Sequence, residues 1–121
     1  MDRVLEQLAD SAPQLRSAYE SEVEWWKPKT PPRTILAGAL ARSVVADTTD
    51  ISEAALMKIF TICESTLRDQ SDDAEAVATG FLEGLQHGHF DFGRVPVAFG
   101  PLSRLHCEAM DRFHGAATKG L

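Results

Sequence analysis

Ala55-Leu56-Met57-Lys58-Ile59-Phe60-Thr61-Ile62-Cys63-Glu64-Ser65-Thr66-Leu67 is the stretch that decides the fold. Ala55, Leu56, Ile59, Phe60, Cys63 and Leu67 recur at i, i+4 and i+8, the period of one face of an α-helix. Just upstream, Asp50-Ile51-Ser52-Glu53 reads as a capping box, an N-cap Asp50 answered three residues later by Glu53. Downstream, Ser71-Asp72-Asp73 closes this helix and caps another, because carboxylates are favourable at a positive helix N-terminus. The next helix is expected to bury Ala74, Val77, Ala78, Phe81, Leu82 and Leu85.

The same period extends in both directions. Asp2 is expected to cap a short first helix with Val4, Leu5 and Leu8 inward, and Pro13 suits the first turn of a second, where its missing N–H costs nothing. In that second helix Leu15, Tyr19, Val23 and Trp26 lie on one face. Lys27-Pro28-Lys29-Thr30-Pro31-Pro32 must end it, since three prolines in so short a run cannot continue a helix. Ile35, Leu36, Ala39, Leu40, Val44 and Val45 outline a third helix. After the helix of Phe81, Gly88, Gly93, Pro96 and Gly100 punctuate a packed loop carrying Phe90, Phe92, Val95, Val97 and Phe99. Gly100-Pro101 then opens a last helix, expected to turn Leu102, Leu105, Ala109, Met110 and Phe113 to the core. The expected architecture is all-α, a single-domain bundle of about five to six helices over residues 1–114, with 115–121 a disordered tail.

At 121 residues the chain has room for one domain, and 44% hydrophobic with 25% charged residues is a soluble globular balance. Twelve Lys and Arg stand against eighteen Asp and Glu, a net charge of −6. That excess argues against nucleic acid, whose phosphates demand a cationic face, and against an anionic membrane. The acidity is local: residues 47–91 hold ten acids but only Lys58 and Arg68, whereas 1–46 are neutral and 92–121 slightly basic. No apolar run approaches a membrane span, no secretory h-region opens the chain, and Cys63 and Cys107 read as reduced core thiols. A cytoplasmic protein is expected.

Candidate chemistry is sparse. His87-Gly88-His89-Phe90-Asp91 is the one metal-like cluster, and two imidazoles with a carboxylate could hold zinc with an open position for water. The competing reading, which the sequence favours, is a helix end whose imidazoles complement the negative pole. Cys107 follows His106, but adjacent helical residues diverge by about 100° and cannot act on each other. No GxSxG elbow, glycine-rich phosphate loop, HExxH or CxxC is present. The expectation is therefore no enzyme, no cofactor and no metal. Gly80 and Gly84 stand one turn apart, for helix packing or as a flat patch beside Glu83. Glu64 either marks a similar patch or pairs with Arg68. Of Trp25 and Trp26, Trp25 must leave the core face, either to cover the linker prolines or to serve as a binding anchor.

These features together resemble a known group of proteins. Leu15, Tyr19-Glu20 and Glu24-Trp25-Trp26 are followed by Leu56, Ile59-Phe60 and Cys63-Glu64-Ser65-Thr66-Leu67. Val77, Gly80-Phe81-Leu82-Glu83-Gly84-Leu85 and Gly100-Pro101-Leu102-Ser103 complete the pattern. Across most of residues 13–114 the chain resembles small all-helical bacterial proteins found among the immunity-type genes of polymorphic toxin systems. The resemblance implies a non-enzymatic immunity protein, monomer or homodimer, that inhibits a cognate toxin domain such as a basic nuclease. An acidic helical surface suits that role, and the candidate contact residues are Asp69, Asp72, Asp73, Glu75, Glu83 and Trp25. Two alternatives stand beside it: a helical adaptor or regulator working through Trp25 and the 90–99 loop, and a metal-dependent enzyme built on His87, His89 and Asp91.

Overall fold

The computed structural model describes residues 3–121. Six α-helices carry the chain: α1 (Arg3–Ala9), α2 (Pro13–Trp26), α3 (Arg33–Ala46), α4 (Glu53–Asp69), α5 (Glu83–His87) and α6 (Pro101–His114). A π-helical segment, Ala76–Leu82, runs directly into α5, and Phe92–Arg94 form one 3-10 turn. The class is all-α, as the periodicity requires; the Asp2 cap lies outside the described residues.

The helix boundaries follow local chemistry. Pro13 occupies the first turn of α2. At α4 the N-cap is Ser52 and not Asp50: its hydroxyl oxygen accepts from the Ala55 N–H at 3.1 Å. Asp50 is consumed by the preceding turn, where the N–H groups of Asp50 and Ile51 both donate to the Asp47 carbonyl, and Ile51 is buried. Gln70, in the left-handed conformation at φ 51°, stops α4.

α3 lies at the centre, in contact with α1, α2, the π segment and α5. Covered on several sides, it buries Leu36, Ala37, Ala39, Leu40, Ala41 and Val44, while Ile35, expected inward, stays exposed. Its tightest seam is with the glycines that follow. A Cβ on Gly80 would stand 2.6 Å from the Thr34 carbonyl oxygen and 2.8 Å from the Ala37 Cβ. One on Gly84 would meet the Ala41 Cβ at 2.8 Å, and one on Gly88 a Val45 methyl at 2.6 Å. Gly80 and Gly84 therefore exist for helix packing, and the partner patch beside Glu83 is replaced by α3. The segment itself is wound one residue wider than an α-helix: the Glu83 N–H donates to Ala78, five residues back.

The loop from Gly88 to Gly100 closes one end of the core. Phe90, Phe92 and Phe99 gather around Phe60, with ring centroids 5.8, 5.9 and 5.6 Å from it. Asp91 caps the 3-10 turn, accepting from the Gly93 N–H at 2.9 Å, and Arg94 donates to the Thr48 carbonyl and hydroxyl oxygens at the end of α3.

Two expectations about the C-terminal part are corrected. In α6 the buried residues are Ser103 and Cys107, while Leu102, Leu105 and Phe113 are exposed. Polar anchors set that orientation. Glu64 of α4 accepts from the N–H groups of Leu102 and Ser103 and from the Ser103 hydroxyl; His106 pairs with Glu83; and Gln86 donates to the Cys107 carbonyl. Residues 115–121, expected to be disordered, fold back instead. After the left-handed Gly115 the Thr118 N–H donates to Asp111 at 2.8 Å, the Phe92 N–H donates to the Lys119 carbonyl at 3.1 Å, and Leu121 packs against the core.

Candidate functional site

The acids proposed from sequence separate into two groups. Asp69, at the last turn of α4, and Asp72 and Glu75, at the start of the next helical segment, are all exposed. None has an ion-pair partner among the described residues. Asp73 differs: only 8% exposed, it faces the Arg33 guanidinium at 3.6 Å and joins the start of α3 to the start of the π segment. A buried carboxylate needs such a partner, so Asp73 is structural and not a contact residue. Glu83 is likewise turned inward, its Oε2 2.9 Å from His106 Nε2. Trp25 is 78% exposed and does not cover the prolines; Trp26 packs edge-on against it and donates Nε1–H to Glu22 at 2.8 Å.

A cleft of about 630 Å³ opens between α5, α6 and the returning tail. His87, His89 and His114 line it, with Met110, Asp111 and Lys119. The His87 and His114 rings stand 6.0 Å apart, edge to face. Both carboxylates of the cleft are engaged, Glu83 by His106 and Asp111 by the Thr118 N–H, the Thr118 hydroxyl and the Gln86 amide. The Gln86 NH2 is shared among the Cys107 carbonyl, Asp111 and Thr118, which fixes the carbamoyl group and leaves Oε1 buried without a protein donor.

The arrangement that the alternative metal-dependent reading needs, His87, His89 and Asp91 about one ion, does not assemble among the described residues. Asp91 is committed to the Gly93 N–H and faces Lys119 Nζ at 3.7 Å, while His87 and His89 line the cleft. Among the described residues no three His, Cys, Asp or Glu side chains are grouped to hold an ion. The thiols offer no nucleophile either: Cys63 and Cys107 are free and buried. Burial pushes the Cys63 thiol well above its ordinary value, and burial together with the Asp111 and Glu83 carboxylates pushes Cys107 up to about 12. In the 90–99 loop, part of the adaptor reading, Phe90, Phe92, Val95 and Phe99 are buried, while Gly93, Pro96 and Val97 are exposed, Val97 at 90%.

Sequence reasoning missed the outward face of α6 and the Gln86–Asp111–Thr118 junction. The spacing of Leu102, Leu105 and Phe113 showed an amphipathic helix, but the side facing the bundle is chosen by Glu64 and Gln86, each more than twenty residues away. No helix among the described residues is long and apolar enough to cross a membrane. No known protein family, curated protein or solved structure matches the chain.

Proposed function

We propose that the chain is a non-enzymatic immunity protein, which binds a basic surface of a cognate toxin domain and neutralises it stoichiometrically in the cytoplasm. The observation that carries this reading is the exposed trio Asp69, Asp72 and Glu75, none of which has an ion-pair partner among the described residues. Carboxylates left unpaired keep a negative potential that steers a basic partner into contact, an attraction that weakens as salt rises. A nuclease toxin presents a cationic face because its substrate is a phosphodiester polyanion, so an acidic inhibitor covers the surface that the toxin needs. Asp73, buried against Arg33, and Glu83, paired with His106 in the cleft, are left out of this contact. Trp25, large and exposed, is a further candidate anchor.

The experiment is co-expression with the C-terminal domain of the upstream gene's product, which this reading requires to be toxic. A stable complex and restored growth are expected. Neither complex nor rescue would sink the proposal. Reversing Asp69, Asp72 and Glu75 to Lys should then lower the association rate at low salt by about tenfold or more; an unchanged rate discards this face. The adaptor reading is favoured by the exposure of Trp25 alone. Loss of binding in Trp25→Ala together with indifference to the charge reversal would select it.

A further inference from the structure

α6 shows its apolar face to solvent. Leu102 is 38% exposed, Leu105 60% and Phe113 80%, and with Ala109 between them they stand at helical steps of three and four residues along one face. The opposite face is held by Glu64 and Gln86, so the helix cannot roll to hide the stripe without breaking those bonds. At roughly 200 Å² for a large apolar side chain, the stripe offers about 350 Å² to a partner. Glu108 and Arg112, one turn apart beside the stripe, have no ion-pair partner among the described residues.

We propose that this face is the contact between two copies of this chain, with their α6 helices packed antiparallel about Ala109. Leu105 of one copy then meets Phe113 of the second, and the small Ala109 sits at the crossing point, where close approach is needed. Glu108 then lies on the same side as Arg112 of the second copy, about 3 Å from it along the axis and within side-chain reach, and the two-fold axis repeats that pair. A parallel arrangement would set Glu108 level with Glu108 and Arg112 level with Arg112, so the charges select the antiparallel one. The pair covers about 700 Å² of apolar surface. This is below the roughly 1,600 Å² of a standard stable complex, so the dimer is weak and concentration-dependent.

Sedimentation equilibrium from about 10 μM to about 1 mM tests it, a range suited to an interface of this size. The expected result is a monomer–dimer equilibrium. Leu105→Asp should abolish it while leaving the helical circular dichroism intact. Glu108→Arg and Arg112→Glu should each weaken the dimer about fivefold, and the two together should restore it. A chain that stays monomeric throughout overturns the proposal. So does a dimer indifferent to Leu105→Asp, or a charge exchange that fails to restore what the single changes removed.

Discussion

Glu64 reaches across from α4 to the N-terminus of α6, where the N–H groups of Leu102 and Ser103 donate to its two carboxylate oxygens at 3.0 and 2.9 Å. The cap of α6 thus comes from another helix, because Gly100 and Pro101 have no side chain able to supply one. Desolvation pushes the Glu64 carboxyl up, but the donors at Ser103 and Leu102, with help from Arg68, outweigh it and hold it below its ordinary value. A group depressed in the folded state stabilises above its unfolded value, about 4.3, and that stabilisation is lost as pH falls through the folded value. Glu64→Gln is therefore expected to cost about 1–2 kcal/mol in urea unfolding at pH 7, with the deficit shrinking towards pH 3. Gly100 is coupled to it: a Cβ there would lie 2.4 Å from the Glu64 carboxyl carbon, so Gly100→Ala should destabilise the native chain but add little in Glu64→Ala, which removes the atoms it would meet. At the same scale, the buried Cys63 and Cys107 should resist a thiol reagent at pH 8 until the chain unfolds, when both react.

Among the elements, the glycine seam on α3 is the most demanding contact. Replacing an exposed helical glycine with alanine gains about 1 kcal/mol, but at Gly80 the new methyl meets the backbone of α3 at the Thr34 carbonyl. Gly80→Ala should lose about 2–4 kcal/mol in chemical denaturation, whereas Gly88→Ala, which meets only a Val45 side chain, should lose less. Equal losses at both positions would mean that α3 moves aside. The face shared by Gly80 and Gly84 was legible because a spacing of four residues is a local property of a helix. The π winding of Ala76–Leu82 was not, since the wider hydrogen-bond register leaves no mark in the apolar spacing of so short a segment. The inverted α6 follows the same rule: its amphipathicity is local, but its orientation is fixed by side chains from α4 and α5.

On the scale of the whole molecule, one core extends from Leu5 to Cys107, and the last residues close it. Thr118 donates to Asp111 and accepts from the Gln86 NH2, and the Lys119 carbonyl receives the Phe92 N–H. Deleting residues 116–121 should therefore cost about 2–4 kcal/mol and lower Tm, where loss of a loosely draped segment would change stability by under about 0.5 kcal/mol. The small residues of 115–121 carry no periodicity, so their return across the cleft could not be read before Asp111 and Gln86 were in place. The uneven charge was legible as arithmetic, but only the fold shows that Asp73 is buried while Asp69, Asp72 and Glu75 are not. Trp25 and Trp26, the two tryptophans of the chain, stand together at the end of α2, and neither ring stacks on the phenylalanines gathered around Phe60 among the described residues. Intrinsic fluorescence is consequently a local gauge: excited at the indoles, the native protein should already emit as if half in water, and melting of the core should shift the band little. A ligand that dries Trp25 would move it to the blue, giving an optical signal for docking at that corner while circular dichroism follows the fold.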